Sequence, residues 1–395
     1  MRRRDTIAAR ALEHINPSSS VPAVAPLQLA SVYLFEDLAH VDRVWDGHEA
    51  GYVYARRGNP NVHALENVVA GLEGGAAGAA AASGMSILLA CILAVAQQGQ
   101  RIVAARDVYG GTHQLLTDEL PRLGIETSFV DLEDTNALES AAAEDHTVLL
   151  LVETISNPLV RVADMPGLAA LAARHGLKLL VDNTFASPVL FNPLMHGADL
   201  TVHSATKYLG GHADLMGGVA AGESSLIKRV QDLVNNLGPN LEPFSAWLTL
   251  RGIQTLSLRV ERQSANALAL AGWLQPQDPV ERVYYTGLAD DGQHARASEL
   301  LPRGSGGMLA FELKGGLKAA DAFIRGLSMV KFAPSLGDVM TSVSHPAKTS
   351  HRYLSQADRN ALDIHDGVIR VSTGVEDIND LTADFAAALA KAATI

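Results

Sequence analysis

The chain has 395 residues, 48% of them apolar, and 43 acidic against 31 basic side chains give it a formal charge of -12. That length suffices for two or three domains with a large buried core, and the acidic balance argues against nucleic acid as a main partner, because phosphate binding needs clustered Lys and Arg. The single cysteine, Cys91, has no partner for an internal disulfide; inside the apolar run 85–96 it reads as core rather than as a nucleophile.

That run is also the longest apolar stretch. It is too short to span a membrane and fits a buried helix. The start, MRRRDTIAAR, is basic without the apolar core of a secretory signal, so the expected location is the cytoplasm.

Residues 1–60 have few periodic signals and carry Pro17, Pro22, Pro26 and the serine run Ser18 to Ser20. Such a segment is poorly suited to a core of its own, so it is expected to be an arm lying on another body. It ends in YVYARRGNPN, where Gly58, Asn59 and Pro60 signal a turn before a helix over 62–71. The stretch 71–84, GLEGGAAGAAAASG, lacks the G-x-G-x-x-G spacing of a dinucleotide site. It leaves a turn at Ser83 and Gly84 that feeds the apolar helix 85–96. Free N–H groups and the positive end of a helix dipole there suit a phosphate, although a tightly packed Ala/Gly helix start explains the same residues equally well.

Short apolar strands then recur at 101–105, 125–130, 148–152, 177–181, 200–203 and 218–221, with helical patterns at 111–123 and 165–175. Continuous apolar strands separated by helices predict a mostly parallel sheet covered on both faces. Ligands in such folds bind at the carboxyl ends of strands, where Glu153, Asp182 and Ser204 fall. Residues 226–274 read as helical, with Trp247, Leu250, Ile253, Leu256 and Val260 on one apolar stripe. Beyond them, strand signals at 307–313 and 368–372 and helices at 317–327 and 377–392 predict a smaller α+β domain. The expected division is an arm (1–60), a large domain (61–250) and a C-terminal domain (251–395).

The stretch VDNTFASPVLFNPLMHGADLTVHSATK carries Asp182 at one strand end and Lys207 after the next strand, beside Ser204 and Thr206. A carboxylate that keeps a pyridine nitrogen protonated and a lysine that forms a Schiff base are what a pyridoxal phosphate site needs. Taken singly, each residue reads as a cap or a solvated surface group.

With VDNTFASP, HSATKYLGGHAD, ETISNP and IRVSTGVED in place, the chain resembles the pyridoxal-phosphate enzymes of cysteine and methionine metabolism. That trans-sulfuration group holds cystathionine lyases and synthases, methionine γ-lyase and homoserine sulfhydrylases. The resemblance implies an α/β fold of type I, a transferase-like large domain with a smaller C-terminal one, and pyridoxal 5'-phosphate as cofactor; it implies no metal. It implies that Lys207 holds the cofactor and moves protons, that Asp182 meets the pyridine nitrogen, and that Asn157 meets the ring's 3'-oxygen. Ser204, Thr206 and the N–H groups of Gly84 and Met85 would bind the phosphate. Tyr109 in DVYGG would stack on the ring and donate to the leaving sulfur; Arg370 would grip the substrate carboxylate, with Ser335 supporting that end. Tyr54 and Arg56 would reach the cofactor of a neighbouring subunit, Tyr54 also its substrate. At least a dimer follows, and by resemblance a tetramer built of two dimers.

Within that group, GHAD at Gly211 to Asp214 looks like the lyases and the γ-synthase. Pro334 stands where enzymes that take cystathionine tend to carry glutamate, and Gly111 where methionine γ-lyases commonly carry cysteine. A buried ammonium without a partner is costly, so Pro334 favours a less polar thioether. The leading expectation is a carbon–sulfur lyase acting on methionine, homocysteine or cystathionine to give a 2-oxo acid, ammonia and a thiol. The runner-up is γ-replacement on an activated homoserine ester, and a remote third is a non-catalytic cofactor-binding protein.

Overall fold

The computed structural model describes residues 3–10 and 22–395. Pro17 and the serine run lie outside the described residues. The remainder of the arm is tied down locally. Asn61 Nδ2 donates to Pro26 O and Asn59 Nδ2 to Gln28 O, each at 2.9 Å, and Trp247 Nε1 donates to Ala25 O at 3.0 Å. Farther along, the arm's apolar side chains face water: Leu34 is 94% exposed and Leu38 85%.

Seven strands form the large sheet: β1 (Ala77–Ala81), β2 (Arg101–Ala105), β3 (Glu126–Val130), β4 (Thr147–Glu153), β5 (Lys178–Asp182), β6 (Leu200–Ser204) and β7 (Gly218–Gly222). Their order is β1-β7-β6-β5-β4-β2-β3, parallel throughout except that β7 opposes both β1 and β6. Alternate residues enter different cores. Val103, Val152 and Val181 pack on one face, Ile102, Leu151 and Leu180 on the other. Both faces are therefore covered, which is why these strands read as unbroken apolar runs.

Within the large sheet and the helices beside it, β1 and the helix after β2 depart from the sequence expectation. β1 lies inside the Ala/Gly stretch, whose residues have little β-propensity. Its glycine is needed by packing, because a Cβ on Gly78 would collide with the Glu66 carbonyl. The helix expected over 111–123 is three pieces: α-helix Gly110–Gln114, a π turn Leu115–Glu119 and a 3-10 turn Leu120–Leu123. Pro121 has no N–H to continue the i to i-4 ladder.

The expected helical stretch 226–274 is also broken, into Ser224–Leu237, Pro243–Ile253 and Leu256–Leu274. Gly238 ends the first in the left-handed conformation (φ 90°), which glycine adopts without a Cβ penalty. A second sheet follows, ordered β10-β11-β12-β9-β8, from β8 (Val280–Tyr284), β9 (Met308–Leu313), β10 (Lys331–Phe332), β11 (Ser342–Ser344) and β12 (Val368–Ser372). β9 and β12 were expected; β8, β10 and β11 are too short or too polar to announce themselves. Phe311, Phe323 and Phe385 meet in its core, ring centroids 5.3 Å apart for the two edge-on contacts. No helix among the described residues is long and apolar enough to cross a membrane.

Candidate active site

A cavity of about 690 Å³ opens over the carboxyl ends of β4, β5 and β6. It is lined by Gly84, Met85, Tyr109, Asn157, Asp182, Ser204, Thr206, Lys207 and Arg370, so nine residues singled out from sequence meet there. Ser335, between the lining residues Pro334 and Leu336, reaches the same place through its hydrogen bonds.

On the floor, Thr184 N donates to Asp182 Oδ1 and Ser204 N to Thr184 Oγ1, both at 2.9 Å, so one threonine spaces the two strand ends. Burial pushes the Asp182 carboxyl up, opposed by the bonds from Thr184 and by the charge of His203. Beside it, Glu153 is buried and pushed well above the carboxylate range, by desolvation first and then by Asp182. Glu153 Oε1 accepts from the N–H of Tyr109 at 2.6 Å, which sets the turn carrying the Tyr109 ring. The sequence reading placed Glu153 at a strand end without giving it that task; its place in ETISNP was the only signal.

After β6 the chain turns tightly, Lys207 N donating to Ser204 O at 3.1 Å. Lys207 Nζ then reaches Ser335 Oγ at 3.3 Å. Burial lowers the Lys207 ammonium, and Arg370 lowers it further, while Asp338 opposes both. Arg370 is 4% exposed. It donates to Asn157 Oδ1 at 2.9 Å and to Ser335 O at 3.1 Å, and burial pulls its guanidinium down to about 10. Its Nε is buried without a partner among the described residues.

On the opposite wall, Ser83 caps the helix Gly84–Val95 through a reciprocal box with Ser86. The N–H groups of Gly84 and Met85 have no intrachain acceptor among the described residues. A Cβ on Gly84 would fall 2.9 Å from the Ser204 Cβ, so glycine keeps a hollow between the helix start and β6.

Tyr54 and Arg56 stand elsewhere. Tyr54 is half exposed and bridges to Val32; Arg56 donates to Asn235 O at 2.6 Å and lines a separate pocket of about 110 Å³. Neither lines the cavity of its own chain.

These residues suit a phosphorylated pyridine. The hollow with free N–H groups and two hydroxyls fits a phosphate, and Asp182 is a shielded carboxylate in want of a cation. Arg370, on the cavity wall, keeps its buried Nε without a partner among the described residues, a donor left over for a carboxylate. A covered parallel sheet presenting such a carboxylate and lysine at neighbouring strand ends defines a pyridoxal-phosphate enzyme of fold type I.

Residues 5–390 match the Cys/Met metabolism PLP-dependent enzymes, and the chain belongs to that family. It is 42% identical over 386 residues to an O-succinylhomoserine sulfhydrylase of Pseudomonas aeruginosa, covering 98% of this chain and 95% of that one. It is 39% identical to an L-methionine gamma-lyase of Pseudomonas putida, covering 97% and 96%. The crystal structure of cystathionine gamma synthase from Xanthomonas oryzae pv. oryzae, in complex with aminoacrylate and cysteine, superposes with a TM-score of 0.94 at 36% identity, over 100% of this chain and 99% of that one. The family are PLP-dependent lyases and synthases of sulfur amino-acid metabolism, and pyridoxal phosphate is the cofactor.

Proposed function

We propose that this chain removes the γ-substituent of a four-carbon α-amino acid and then replaces it. The observation that carries this reading is the meeting of Lys207 and Arg370 on one residue, Ser335, at 3.3 and 3.1 Å. A proton carrier and a carboxylate grip so close together address the two ends of a single Cα.

When bound, pyridoxal phosphate supplies the electron sink that makes the Cα and Cβ protons removable. Lys207, held toward its neutral form by burial, takes the Cα proton and moves protons between neighbouring carbons. Arg370 orients the α-carboxylate; Asn157, with its oxygen held by Arg370, turns its amide donor to the ring oxygen. Asp182 would keep a proton on the pyridine nitrogen. Gly84, Met85, Ser204 and Thr206 would hold the phosphate. Tyr109, which lines the same cavity, would pack against the cofactor and donate to the departing atom.

Two net reactions share this departure. Replacement on an activated homoserine ester by a thiol or sulfide is the first reading, supported by the likeness to the sulfhydrylase and by the charges of the cavity. Its lining carboxylates, Glu153 and Asp182, both sit on the floor, leaving no acid on the described walls for the distal ammonium of cystathionine. Carbon–sulfur lysis of methionine or homocysteine is the second, favoured by Pro334 on the wall and by the likeness to the γ-lyase.

The test is a substrate panel on the yellow protein. Homocysteine or cystathionine formed only when ester and thiol are both present supports replacement; 2-oxo acid and thiol from methionine alone supports lysis. Turnover of neither would leave a non-catalytic cofactor-binding protein and sink both readings.

The active unit on this reading contains at least two chains, with Tyr54 and Arg56 lent to a neighbour's phosphate and Tyr54 to its substrate. The exposed Leu34 and Leu38 of the arm support it, since apolar side chains so bare gain by burial against a second copy. Sedimentation at several concentrations would expose a monomer.

A further inference from the structure

Four cations line the cavity: Lys207, Arg370, Lys348 and Arg352. The first two have work in the reading above. Lys348 and Arg352 have none, and neither has an ion-pair or side-chain hydrogen-bond partner among the described residues.

They lie on the segment that follows β11. Its acids are committed elsewhere: Asp358 to Ser355 at 2.6 Å, Asp366 to Arg359 at 3.5 Å, and Asp363 to Arg161. The segment is nevertheless well anchored. His351 is buried and bonded to Ser350 Oγ at 2.9 Å, Thr349 Oγ1 donates to His345 O at 2.8 Å, and the Tyr353 ring lies 5.2 Å from that of His113. Backbone of Ser350 and the Tyr353 ring also press on Gly110, where no Cβ could fit. Gly110 adjoins Tyr109, the residue assigned to the departing atom. Two unneutralised cations are thus presented at the mouth of the cavity, beside the turn that carries the leaving-group donor.

We propose that Lys348 and Arg352 recognise an anionic group at the far end of the departing γ-substituent, so that the preferred ester carries a carboxylate-terminated acyl arm or a phosphate. This inference rests on the replacement reading and specifies its substrate class. The ester oxygen leaves Cγ with the bonding electron pair, as the free acid anion, and the two cations hold that anion without taking part in proton transfer. Paired cations suit this task because neither is neutralised by another described residue of the chain.

The experiment uses holoenzyme and the variants Lys348→Met, Arg352→Gln, the double variant and Lys348→Arg. Initial rates with sulfide are measured on the O-succinyl, O-phospho and O-acetyl esters of homoserine. Both cations are solvent-exposed, so each should be worth roughly threefold in KM for the anionic ester and the pair about tenfold, with kcat little changed. The acetyl ester should be affected by less than about twofold, because it offers the cations no charge. Lys348→Arg should keep most of the preference. Loss confined to the succinyl ester identifies a carboxylate arm, and loss confined to the phosphoryl ester a phosphate. Equal loss on all three esters, or a changed KM for the thiol alone, overturns the proposal.

A second measurement separates this failure from that of the replacement reading. The cofactor spectrum is titrated with two unreactive amino acids, L-2-aminopimelate, which ends in a carboxylate, and L-norleucine, which does not. Tighter binding of the former that disappears in the double variant supports recognition of a distal anion even if no ester turns over. Equal binding of the two in the unaltered enzyme rejects it even if the esters react.

Discussion

Arg370, in β12 of the small sheet, donates to the side-chain oxygen of Asn157 just beyond β4 of the large one, at 2.9 Å. The two sheets thus meet through the residues proposed to grip the substrate carboxylate and the cofactor ring. Replacing Arg370 with lysine keeps a charge but loses the planar fork. The expected result is a fall in kcat/KM of about 30-fold or more, corresponding to roughly 2 kcal/mol, carried mainly by KM. The protein should remain yellow; an unchanged KM for the amino acid would remove Arg370 from the site.

Gly84→Ala tests the phosphate hollow. Alanine is a better helix residue than glycine, so the helix Gly84–Val95 should not weaken, but its Cβ would sit 2.9 Å from that of Ser204. Cofactor affinity is expected to drop by about tenfold, on the order of the cost of one forced contact. Cofactor absorbance retained after gel filtration measures it, and full retention at low cofactor concentration would contradict the assignment.

Beneath the site, His203 Nε2 meets Glu73 Oε1 at 2.6 Å with both side chains out of water, and Asn183 and Asn192 donate to the same carboxylate. Breaking a buried pair by removing one partner typically costs about 3–5 kcal/mol. Glu73→Ala should therefore lower the urea midpoint strongly. The exposed pair His175–Glu139, at 2.7 Å, is the control, and Glu139→Ala should cost less than about 1 kcal/mol. Similar midpoints for the two variants would show that burial does not govern them.

Glu66 supplies a pH dependence. Burial raises its carboxyl from 4.5 to about 8, against a bond from Ala80 N at 3.1 Å. Between those two values the unfolded chain has released the proton and the folded chain still holds it, so stability is full below about pH 4.5 and is lost as pH rises toward 8. Thermal midpoints measured from pH 5 to 8 should decline, and Glu66→Gln should flatten the decline. Parallel curves for the two proteins would assign the slope to other groups.

The parallel sheet was legible because its strands are buried on both faces. A segment such as LLLV in β4 is apolar at every position, and its short length, set between helical patterns, separates it from the longer apolar run of the buried helix Gly84–Val95. β1 was not, since AGAAA owes its strand state to pairing with β7 and to the close approach of Glu66. Pro121 was visible in the sequence, yet its effect is to divide a helix rather than end it. The site was legible wherever a residue sat in a long motif, as Asn157, Asp182, Lys207 and Arg370 do.

The sequence alone determined the family and with it the cofactor, through the long motifs VDNTFASP, HSATKYLGGHAD, ETISNP and IRVSTGVED rather than through any single residue. Only the tertiary structure decided what stands around them. Glu153 orients Tyr109 through a contact between residues 44 positions apart, and Ser335 joins Lys207, just beyond β6 of the large sheet, to Arg370 in β12 of the small one. Lys348 and Arg352 belong to no motif; their meaning depends on which acids are occupied elsewhere. Charge and hydrogen bonding act through space, and folding alone brings such distant groups within reach.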